Sequence, residues 1–91
     1  MSPALRIITL RRHTGCTQVQ FCELIGVSQT ALSAWERGLY LPSAESYAKL
    51  ANLSSMRDMH AEALWFIEQT GIERRALRLA AIVAREEATA L

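Results

Sequence analysis

Five side chains near the middle of the chain, Gln29, Thr30, Ser33, Ala34 and Arg37, could share one task. At about 100° per residue, a helix that starts after Ser28 carries them on one side and Ala31, Leu32 and Trp35 on the other. The apolar side can anchor the helix to a core, and its angle puts Trp35 there rather than on a stacking platform. The opposite side is short and polar, able to approach the base edges of a DNA major groove without a large desolvation cost. The other chemistry-bearing residues form no comparable set. His13, Cys16, Cys22 and His60 could ligate a metal, but a Cys-x5-Cys spacing does not suit zinc, and Cys22 is expected to face a neighbouring helix. No histidine or acid is placed by sequence beside either cysteine, so neither catalytic nor metal-binding residues are expected, and no cofactor.

A helix that reads DNA must be held by a second one. Thr17-x-x-Gln20 is a capping-box pattern, in which each side chain satisfies the other residue's backbone N–H, and it starts a helix that ends at Gly26. Ser28 caps the next helix, which runs through Arg37 and is closed by Gly38. Two short helices joined by a glycine turn are the layout of a DNA-binding helix-turn-helix, here spanning 18–37. Cys22 supplies the small side chain that lets the second helix cross close to the first. On the N-terminal side, Ser2-Pro3 opens a helix that stops near Thr14-Gly15. Downstream, Pro42-Ser43 opens another to about Asn52. Ser54 or Ser55 is expected to cap a longer helix ending near Gln69, and the capping box Thr70-Gly71-Ile72-Glu73 to open a last one reaching about Thr89. The expected architecture is all-α, with six or seven helices and short connections.

Bulk properties fit that picture without deciding it. The chain has 91 residues, 51% hydrophobic and 21% charged, with a formal net charge of +1, the balance of one ordinary globular domain. Residues 1–50 carry five basic and three acidic side chains, and residues 51–91 five and six, so the first part is better placed to meet phosphates. No apolar run approaches the ~20 residues of a membrane-spanning helix, and Met1 to Leu10 lacks the layout of a signal peptide. The expected location is the cytoplasm, on nucleoid DNA, with both cysteines as free thiols.

From about Leu5 to Leu53 the sequence resembles the lambda repressor-like (Xre) family of bacterial and phage regulators. The resemblance is carried by Thr17-Gln18, Glu23-Leu24-Ile25-Gly26-Val27-Ser28, Leu32, Trp35-Glu36-Arg37-Gly38 and Leu41-Pro42-Ser43. It implies a compact five-helix domain, with one or two additional C-terminal helices here, that binds operator DNA as a dimer. It also implies roles. Gln18 touches phosphate and braces a neighbouring base contact. Gln29 reads a base, since its amide can pair with adenine N6 and N7. Thr30 and Ser33 lie beside it, Thr30 offering its methyl to thymine, while Ser28 and Ala34 complete the reading face. Arg37 and the loop from Gly38 to Tyr40 meet phosphates, and Arg11 and Glu36 form an ion pair tying the first helix to the third. Four positions depart from the pattern: Cys22 replaces alanine, Ala34 stands where a long polar or basic reader is common, and His13 and Thr14 stand where basic residues are common.

The family domain is expected to occupy 1–53, leaving 54–91 as a helical extension packed on it. Met56, Met59, Ala63 and Ile67 make one apolar stripe of the extension, and Trp65 points to the opposite side. Ile72, Ala76, Leu79 and Val83 make another stripe. One use of these surfaces is to cover the domain's own core. The other, favoured because two-fold operators need two recognition helices ~34 Å apart, is a homodimer interface with Met59, Trp65, Phe66, Leu79 and Val83. The expected function is therefore a dimeric, sequence-specific regulator of transcription, a repressor, controlled by its level or by a protein partner docking on the tail. The alternative is a protein-interaction module on the same scaffold, such as an antitoxin, an anti-repressor or a complex partner.

Overall fold

Hydroxyl caps start four of the helices, where the sequence placed them. Ser2 Oγ accepts from Leu5 N (3.1 Å), Thr17 Oγ1 from Gln20 N (3.2 Å), Ser28 Oγ from Ala31 N (3.1 Å) and Ser43 Oγ from Ser46 N (3.2 Å). The capping box is complete, because Thr17 N donates to Gln20 Oε1 at 2.9 Å. The computed structural model describes residues 1–71 and 78–85. They form α1 (Pro3–Thr14), α2 (Gln18–Ile25), α3 (Gln29–Glu36), α4 (Ala44–Met56) and α5 (His60–Thr70), followed by a helical stretch, α6, over 78–85. There is no strand among the described residues.

Gly26 makes the turn of the helix-turn-helix. It sits at φ 71°, ψ 45°, a left-handed conformation that glycine adopts without a Cβ penalty. Its carbonyl accepts from Lys49 Nζ at 3.2 Å, which ties the turn to α4. A Cβ added there would lie 3.8 Å from Lys49 Nζ, an ordinary contact, so the cost of Gly26→Ala is conformational alone. The variant is expected to lose about 1 kcal/mol in urea denaturation while keeping its DNA affinity. A loss several times larger would mean that the turn is closed by packing rather than by backbone geometry.

The junction of α4 and α5 differs from the sequence expectation. Ser54 is not a cap. It lies inside α4, fully buried, and its hydroxyl donates to Leu50 O at 2.8 Å. A serine satisfied by its own helix does not stop that helix. The chain breaks instead at Asp58, which takes φ 59°, and Met59 N donates back to Ser54 O at 2.8 Å to close the turn. Met59 then starts α5 with no side-chain cap.

The core joins α1 to α5. Ile7 and Leu10 of α1, Phe21 of α2, Leu32 of α3, Leu50 of α4 and Phe66 of α5 are completely excluded from solvent. Residue 53, the expected end of the domain, falls inside α4, and the same core continues to Phe66. Phe66 is thus an internal core residue and not the surface anchor expected of it. Met59 and Trp65 are half-buried and pack on the same core. The Trp65 ring meets Tyr47 edge-on (centroids 6.1 Å apart, 74°) and Phe66 likewise (5.4 Å, 79°). Its outer side is covered by Arg6, whose guanidinium carbon lies 4.5 Å from the ring centroid. Arg6 Nη1 also donates to both carboxylate oxygens of Glu62 (3.1 and 3.0 Å), stapling α1 to α5. Of the residues assigned to a dimer interface, only Leu79 and Val83 on α6 stand exposed, at 63% and 51%.

Candidate nucleic-acid interface

The candidate surface starts from how α3 is seated. Leu32 and Trp35 are buried, with α3 packed on α1 and α2, which leaves Gln29 and Thr30 exposed and Ser33 and Ala34 half-buried. Arg37 caps the helix with its backbone N–H on Ser33 O (3.0 Å), and its side chain is exposed. Gln18 comes from the first turn of α2. Together with Tyr40 these side chains line one shallow groove, which collects the residues the sequence assigned to DNA contact except Ser28 and Gly38. Ser28 sits at the helix start with its hydroxyl committed to the cap. Leu39 also lines the groove, whereas the sequence named it only as part of a phosphate-contacting loop, Gly38 to Tyr40, with no role for its side chain. It lies beyond the last helical turn, where angle arithmetic no longer applies.

An ion-pair network fixes the groove from behind. Arg11 Nε donates to Glu36 Oε2 at 2.7 Å and Arg11 Nη2 to Glu36 Oε1 at 2.8 Å, a bidentate pair. The third guanidinium nitrogen, Nη1, donates to Cys16 O at 3.2 Å, and Glu36 Oε1 accepts a further bond from Gln18 Nε2 at 3.3 Å. One carboxylate, with only 6% of its side chain exposed, thus holds the end of α1, the start of α2 and the end of α3. Hydrogen bonding to Glu36 raises the Arg11 pKa above its ordinary value, against an opposing contribution from burial, so the cation is fixed at every accessible pH. The Gln18 amide has two N–H groups; with one on Glu36, its position is set and the other remains for a ligand.

The cysteines have no part in this surface. Burial pushes the Cys22 thiol up, helped by the negative charges of Glu36 and Glu23, so it stays neutral and acts as a small core side chain. Among the described residues no group of three or more His, Cys, Asp or Glu could hold a metal ion, and no helix is long and apolar enough to cross a membrane.

A family model described as helix-turn-helix, of the lambda repressor-like type, matches residues 7–53, just over half of the chain. The protein belongs to this helix-turn-helix family. The matched region holds α2, α3, the Arg11–Glu36 pair and every residue lining the groove. The family is one of DNA-binding domains, and it accounts for the all-helical fold. Comparison with curated proteins and with solved structures finds no significant match.

Proposed function

We propose that the protein is a sequence-specific, double-stranded DNA-binding regulator of transcription in the cytoplasm, a repressor that occupies a two-fold symmetric operator as a homodimer. The observation that carries this reading is the groove along α3, where the candidate base and phosphate contacts converge over the rigid Arg11–Glu36–Gln18 network. Gln29, at the first position of α3, meets adenine N6 and N7 in the major groove. Gln18, Arg37 and Tyr40 flank it and hold phosphates, with Thr30, Ser33 and Ala34 close against the base edges. Repression needs no contact beyond occupancy of the operator. Dimerisation is supported by Leu79, Ile82 and Val83, which recur at helical spacing on α6 and stand 45–63% exposed. The same exposed stripe is the observation that favours the second reading, a surface for a protein partner.

The deciding experiment selects sites from a random duplex pool with the purified protein at near-physiological salt. A two-fold motif with half-sites about one helical turn, ~34 Å, apart is expected. Gln29→Ala is then expected to cost about 1–3 kcal/mol of affinity at one base pair of each half-site and to relax the preference there. No enrichment from protein shown to be folded would transfer support to the protein-interaction reading.

A further inference from the structure

We infer that Leu39 reads the 5-methyl group of a thymine, making it a specificity-determining residue beside Gln29; this rests on the DNA-binding reading above. Three observations converge on it. The first is that its backbone is fixed. Gly38 turns left-handed at φ 72°, Gly38 N donates to Trp35 O at 3.1 Å, and Leu39 N donates to Ala34 O at 2.9 Å. This is a Schellman closure of α3, in which the residue after the glycine is tied back onto the helix.

The second observation is what the closure does to the side chain. In such a motif the apolar group at this position usually covers an apolar neighbour on the last helical turn. Here that neighbour is Ala34, too short to shelter a leucine, and Leu39 remains 55% exposed. It lies in the groove with Ala34 and Thr30, whereas Leu41, two residues on, lines a separate cleft beside Pro42. A leucine whose backbone is tied to the helix and an alanine therefore both present apolar surface in the same groove.

The third observation is the chemistry of the rest of that groove. Among the described residues Arg37 is the only basic side chain that lines it, and it stands at the helix end. An apolar surface in a major-groove reader has one apolar counterpart on the base edges, the thymine methyl; the other edge groups there are polar donors and acceptors. Thr30, exposed next to Gln29, can add its own methyl. The half-site consequently contains, besides the adenine read by Gln29, a thymine whose methyl lies against Leu39 and Ala34.

The test uses the full chain and the operator recovered by selection. Each thymine of a half-site is replaced in turn by deoxyuridine, which removes the 5-methyl and leaves the hydrogen-bonding edge unchanged. Binding is measured by fluorescence anisotropy for the natural protein, Leu39→Ala and Leu39→Met. At one position the natural protein is expected to lose about fourfold in affinity on deoxyuridine, the effect of exposing one methyl-sized group. Leu39→Ala loses a similar factor on thymine but distinguishes thymine from deoxyuridine little or not at all, and Leu39→Met retains the discrimination. Leu39 is exposed, so both variants keep the fold, which circular dichroism checks. The inference is overturned if no deoxyuridine position matters, or if Leu39→Ala loses equally on thymine and deoxyuridine at every position, as a sugar or phosphate contact would. Failure of the selection itself, by contrast, strikes the DNA-binding reading.

Discussion

Glu36→Ala is expected to destabilise the protein by about 3 kcal/mol, and Arg11→Ala by a comparable amount. The reason is the stranded partner more than the lost attraction. Removing the carboxylate leaves the Arg11 guanidinium, with 18% of its side chain exposed, holding only Cys16 O, and frees Gln18 Nε2 as well. The partial exposure of Arg11 puts the effect at the lower end of the range for buried pairs. In a domain whose whole stability is of order 5–15 kcal/mol, that loss lowers the urea midpoint severely. Replacing both partners with apolar residues, Arg11→Met with Glu36→Leu, is expected to recover most of the loss, since no buried charge is then left alone. The double variant separates structure from function: it refolds the domain but leaves Gln18 without its anchor, so operator affinity stays reduced at full folding. A loss below 1 kcal/mol for Glu36→Ala would class the pair with ordinary surface ion pairs.

What could be seen in the sequence follows from the range of the interactions. Caps at Ser2, Thr17, Ser28 and Ser43 act across three residues, so their patterns can be read directly, and each makes the expected bond. The polar, solvent-facing side of α3 was equally visible, because a helix converts spacing into angle. Ser54 shows the limit of such local signals. A serine beside an apolar run can cap a helix or bond within one, and burial against the core decided for the second. The true break uses Asp58 in a left-handed conformation and an uncapped Met59, neither of which carries a sequence signature. The Leu39 side chain was not placed for a related reason: the loop around it was read as a phosphate contact, but its position in the groove depends on the closure across Gly38. The Arg6–Glu62 staple joins residues 56 apart, and nothing local in the sequence announces it. Apolar character in α5 was plain, but whether its own chain or a second copy covers it was not. The tertiary packing assigns Phe66 and Trp65 to the first.

That assignment makes α5 an integral part of the folding unit, even though the family match ends at residue 53. Phe66→Ala is accordingly expected to cost about 3–5 kcal/mol, the range for truncating a fully buried phenylalanine. The two tryptophans make the consequence measurable at both ends of the core: Trp35 reports α3 and Trp65 reports α5. With Trp35→Phe and Trp65→Phe as single-reporter backgrounds, unfolding followed at either tryptophan should give one coincident transition in the parent protein. In Phe66→Ala both transitions should move together to lower urea, because Phe66 shares its cluster with Leu32 and Trp35 as well as with Tyr47. If the Trp65 signal were lost first while Trp35 kept its parental midpoint, α5 would be an appendage on a self-sufficient four-helix unit. Coincidence would instead mean that α3 depends on α5 for its footing.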